Sequence, residues 1–69
     1  MELKQIVNLY RWTDEMDLIG DAEIVKLTKT QIHALCKDNV IRKFTNEGGT
    51  KKLEGKGIYR GYYIEVKEG

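Results

Sequence analysis

The side chains best suited to recognition chemistry fall close together. Thr30, Gln31, His33 and Ala34 lie within one five-residue stretch, and the cations Lys29, Lys37, Arg42, Lys43, Lys51, Lys52, Lys56 and Arg60 flank or follow it. A Gln side chain can bond adenine bidentately, and an Ala methyl can touch a thymine methyl. Lys and Arg neutralise phosphates and fix register without reading sequence. Other chemistry is thinly supplied. One cysteine, Cys36, cannot form an internal disulfide. With His33 it falls short of the four ligands of a structural zinc site. A lone histidine in so short a chain gives no nucleophile–histidine–acid set. Asp14, Glu15 and Asp17 share an acidic turn with no basic or metal-binding complement. The expectation is a non-enzyme without cofactor or metal.

Each candidate also has a structural reading. Gln31 fits a helix cap, His33 an ordinary surface histidine, and Cys36 a small core hydrophobe. The lysines at 51, 52 and 56 would solubilise a loop, and Tyr59 and Tyr63 would pack across strands rather than stack on bases.

These residues must be carried by one domain, 1–69, whose core is thin: a chain this short buries roughly 60% of its unfolded surface. The 41% apolar content is too high for a disordered tail. No apolar run approaches the roughly 18–20 residues of a membrane span, and no signal peptide is recognisable. The expected location is a bacterial cytoplasm. The net charge of +1 hides an asymmetry: residues 1–25 carry two cations against six carboxylates, and residues 26–69 carry ten against five. The basic half is a modest footprint for a polyanion.

Residues 3–12 fit both periodicities. Leu3, Ile6, Val7 and Tyr10 match a helix; Val7 and Leu9 against Ile6, Tyr10 and Trp12 match a strand. The β-branched and aromatic content favours a strand, with Thr13-Asp14-Glu15 as a turn and Met16–Ile19 as the return. Asp21 can cap a short helix over 22–27. Thr28-Lys29-Thr30-Gln31 reads as a capping box, with Leu27 and Ile32 as its hydrophobic staple, so a second helix is expected over 29–38. Ile32, Leu35 and Cys36 would share its apolar face, and Asn39 would end it. Glycine-rich residues 45–57 read as a loop or hairpin tip. Val40–Phe44 and the strand-forming 57–66 segment would pair across it.

Two short helices and a basic hairpin describe a helix-turn-helix with a wing. The segment from Ala22-Glu-Ile through Leu27, Thr28, Lys29, Thr30, Ile32 and Leu35 resembles the helix-turn-helix core of excisionase and MerR-like proteins, with Lys26 in place of the usual turn glycine. From Asn8-Leu-Tyr to Gly61-Tyr-Tyr-Ile64, the chain is similar to small phage and prophage proteins and to the modular DNA-binding repeats of homing endonucleases. Gly57-Ile58-Tyr59 with Tyr63-Ile64-Glu65 resembles GIY-YIG nucleases only superficially, because the spacing is far too short. The resemblance implies an α+β winged helix-turn-helix that binds double-stranded DNA as a transcriptional or recombination regulator. Thr30, Gln31, His33 and Ala34 would read bases, and the eight cations above would hold phosphate. A homodimer or a helper protein is implied, since one such unit gives weak specificity. The alternative is an accessory or counter-defence protein that binds a host protein through the same scaffold.

Overall fold

The computed structural model describes residues 1–47 and 51–67. The tip of the expected glycine-rich loop, residues 48–50, lies outside them. Among the described residues there is no α-helix. Six strands run antiparallel: β1 (Ile6–Trp12), β2 (Met16–Leu27), β3 (Gln31–Cys36), β4 (Ile41–Thr45), β5 (Lys52–Glu54) and β6 (Tyr62–Val66). A 3₁₀ turn, Gly57–Tyr59, precedes β6. The strand order is β4-β3-β2-β1-β6-β5. The sheet curls into a half-barrel until its two edges touch. There Phe44 bridges to Gly55, and Lys56 donates its backbone N–H to the Lys43 carbonyl at 2.8 Å.

The α+β winged helix-turn-helix expectation is therefore corrected. Residues 22–27 continue β2, and residues 31–36 form β3. Asp21 caps no helix; it lies in β2 with its carboxylate 2.8 Å from Lys67 Nζ. The signal at Thr28 was real but belongs to a hairpin. Thr28 Oγ1 accepts the Gln31 N–H at 2.9 Å and the Thr30 N–H at 3.3 Å, while Thr28 N–H donates to the Gln31 carbonyl at 2.9 Å. A threonine hydroxyl offers the same acceptor to N–H groups two and three residues on in a tight turn as at a helix start. Asn39 does take a left-handed conformation, φ 64°, but inside the β3–β4 hairpin.

Period-2 burial decides the fold. In β3, Ile32, Ala34 and Cys36 are buried while Gln31, His33 and Leu35 are only half-buried. Ala22 and Ile24 do the same in β2, and Val7 and Leu9 in β1. With Phe44, Leu53 and Ile64 these residues form the core, so every strand contributes. Phe44 is the largest fully buried side chain. The expected N-terminal hairpin is present, with a bulge at Leu9/Tyr10 that places Leu9 opposite Gly20 and Tyr10 opposite Leu18. Gly20 there has φ +153°, a conformation open to glycine. The expected pairing of 40–44 with 57–66 is absent. β4 pairs with β3, whereas β6 lies between β1 and β5.

Candidate functional site

Alternation that fills the core also sorts the outward side chains into two opposed faces. On β2–β3–β4, Lys26 stands opposite His33, and His33 opposite Lys43. Opposite residues in antiparallel strands have Cβ atoms about 4.5–5.5 Å apart, and like charges there repel. The Lys56–Lys43 backbone bond brings a further cation beside the row. Among the described residues, no carboxylate pairs with Lys26, Lys43 or Lys56. His33 Nε2 lies 3.2 Å from Gln31 Oε1. Partial burial, then Lys26 and Lys43, hold the His33 pKa below its ordinary value.

The second face lies on β2–β1–β6–β5. Trp12 stands opposite Met16, Tyr10 opposite Leu18, and Tyr10 opposite Tyr63. Trp12 and Leu18 are 53% and 59% exposed, so this is uncovered apolar surface. Carboxylates border it. Tyr10 Oη donates to Glu65 Oε1 at 3.3 Å, and Tyr63 Oη to Glu54 Oε2 at 2.9 Å. The Glu54 bond raises the Tyr63 pKa. Lys52 Nζ lies 3.5 Å from Glu65 Oε2 and 5.5 Å from the Tyr10 ring centroid, so this cation is already engaged. The acidic β1–β2 turn, Asp14-Glu15, closes the far side.

The residues expected to read bases are dispersed. Thr30 sits in the β2–β3 turn, Gln31 and His33 face outward on β3, and Ala34 is fully buried. Ala34 cannot touch a base. Of the eight expected phosphate contacts, only Lys43 and Lys56 lie on the basic row, with Lys29 in the adjoining turn. Lys37 lies 4.0 Å from Asp21. Lys52 belongs to the opposite face, Lys51 immediately precedes β5, and Arg60 follows the 3₁₀ turn. Arg42 points into the half-barrel, its side chain only 11% exposed. It bonds Asp38 bidentately at 3.1 and 2.9 Å and stacks 4.4 Å from the Tyr62 ring centroid. Its Nε is buried without a partner. Arg42 therefore closes one mouth of the core, beside a small cavity of about 200 Å³ lined by Leu9, Ile19, Gly20 and Cys36 among others.

The sequence reading missed Lys26, which it placed in a helix turn, and the Tyr10–Trp12–Leu18 cluster. Alternation in residues 6–12 carried that signal, because it sets Tyr10 and Trp12 opposite the core residues Val7 and Leu9. Among the described residues, no three His, Cys, Asp or Glu side chains gather to hold a metal ion. Among the described residues, no helix is long and apolar enough to cross a membrane. No family model, curated protein or solved structure matches the chain.

Proposed function

We propose that this protein is a non-catalytic interaction module that docks a protein partner on the Tyr10–Trp12–Met16–Leu18–Tyr63 face. The observation that carries this reading is the exposed Trp12, opposite Met16 and next to the Tyr10–Leu18 pair, on a face whose tyrosines bond carboxylates. Trp and Tyr at the centre of a patch, sheltered by a polar rim, have the anatomy of a binding hot spot. The charge of the rim selects the occupant. Glu65 is offset by Lys52, but Glu54, Asp14 and Glu15 leave the rim negative and repel a phosphate backbone, so nucleic acid is disfavoured here. A two-fold pair of identical copies would bring together two rims of the same sign. The complementary occupant is a protein surface with an apolar knob bordered by Lys or Arg.

Capture from a bacterial lysate with wild-type protein and with Trp12→Ser/Leu18→Ser as baits tests this. At least one basic-surfaced protein should be recovered by the first bait and lost with the second, and raised salt should weaken its capture. Identical recoveries with both baits would reject the reading.

A further inference from the structure

The basic row is independent of the aromatic face and points to a second ligand. We propose that the Lys26–His33–Lys43 row, extended by Lys56 and with Lys29 in the adjoining turn, binds the phosphate backbone of a single-stranded nucleic acid. The register places the first three residues side by side across β2, β3 and β4. The backbone bond from Lys56 to Lys43 adds a fourth across the sheet closure. With strands about 4.8 Å apart, the row runs roughly 14 Å.

Lys26 and Lys43 flank His33 from either side with no carboxylate among the described residues to offset them, so holding these cations near one another costs the free protein stability. An anionic ligand reverses that cost. Lys52 on the other face is engaged by Glu65, and Lys37 and Lys67 by Asp21; Lys26, Lys43 and Lys56 have no such neighbour among the described residues.

Shape selects a single strand. The row lies on the outer, convex side of a curled sheet. A stiff duplex, itself a convex cylinder with a persistence length of about 150 base pairs, touches such a surface over a short arc. A flexible strand follows the curve and lays successive phosphates along the cations. The aromatic rings Tyr10, Tyr63 and Trp12 are on the opposite face, so base stacking takes no part and the binding is indifferent to sequence. This is not the helix-mediated duplex reading, which the all-strand fold removes. His33 adds a pH term. The groups facing it are Lys26 from β2, Lys43 from β4 and Gln31 on its own strand. A bound phosphate favours protonated His33, so binding tightens as pH falls toward 6.

The probes are labelled oligo(dT) of about 16 nucleotides, the upper site size of a small single-strand-binding fold, and a duplex of equal length. Affinity is measured between roughly 50 and 200 mM salt. Wild type is expected to bind oligo(dT) more tightly than duplex, with affinity falling steeply as salt rises. Single-strand contacts each contribute about 0.7 to the salt slope, so Lys26→Gln/Lys43→Gln should flatten it by about 1.4. Lys26→Arg/Lys43→Arg should retain it, and Lys52→Gln on the other face should leave it unchanged. His33→Gln should abolish the pH term. No binding at about 50 mM salt, duplex bound as tightly as oligo(dT), or an unchanged slope in the Lys→Gln pair would each overturn the proposal. None of these outcomes bears on partner capture by Trp12 and Leu18, so the two readings fail separately.

Discussion

Arg42 and Asp38 show how one pair ties a surface turn to the core. The Arg42 guanidinium is nearly buried and the Asp38 carboxylate half exposed, so the acid serves to satisfy a charge the fold has already taken out of water. The bidentate bond from Arg42 holds Asp38 below the ordinary carboxylate pKa, helped by the Val40 N–H. The hydrogen bond from Lys67 lowers Asp21 likewise. A carboxylate depressed in the folded state contributes stability that is complete above its unfolded value, about 3.9, and is lost as pH falls through the lower folded value. The urea midpoint should therefore hold from pH 7 to about 5 and drop below about 4. Asp38→Asn should lower it at pH 7 and flatten the acid limb. An acid limb as steep as wild type would show that the pair is not coupled to folding. Burial acts on Cys36 in the opposite sense, raising its thiol pKa despite nearby Arg42, which suits a core residue better than a nucleophile.

At the scale of elements, the closure between β4 and β5 rests on one glycine. Gly55 faces Phe44 at the bridge, and a Cβ there would overlap the Tyr59 backbone carbonyl. Backbone cannot step aside as a flexible side chain can. Gly55→Ala should therefore pry the 3₁₀ turn away from β4, exposing Phe44 and lowering the thermal midpoint by several degrees. An unshifted midpoint would mean that the edges are not held together there. The sequence made some elements legible and disguised others. The N-terminal hairpin was readable because Val7 and Leu9 alternate with Tyr10 and Trp12 around an acidic turn. β3 was not, because Ile32, Leu35 and Cys36 satisfy helical spacing while Ile32, Ala34 and Cys36 satisfy strand spacing, and the larger Leu35 drew the weight. The deciding fact is that Ala34 is fully buried and Leu35 is not, which only cross-strand neighbours determine. Thr28 and Gln31 reinforced the error, since turn and cap chemistry use the same atoms. Of the recognition residues, His33 and Lys43 were singled out in sequence, but their adjacency follows from β3–β4 register, as does that of Lys26 from β2–β3.

The whole molecule is a small half-barrel with sorted charge. The chain's acidic beginning supplies the β1–β2 turn beside the aromatic face, and its basic middle supplies the row on β2–β3–β4. A net charge of +1 conceals this separation. The two faces are of opposite character, and neither borrows a residue from the other. The core tolerates this because its apolar residues are shared among all six strands, leaving alternate positions to face outward. Trp12 tests the central claim most directly because it is the only tryptophan and lies, half exposed, at the turn end of the proposed docking face. Its fluorescence reports that face alone. Titrating the protein with the partner captured through Trp12 and Leu18 should shift its emission to shorter wavelength as the half-exposed ring leaves water. The shift should saturate with binding and weaken in Glu54→Gln/Glu65→Gln. Emission unchanged at saturating partner would place the contact elsewhere and contradict the account.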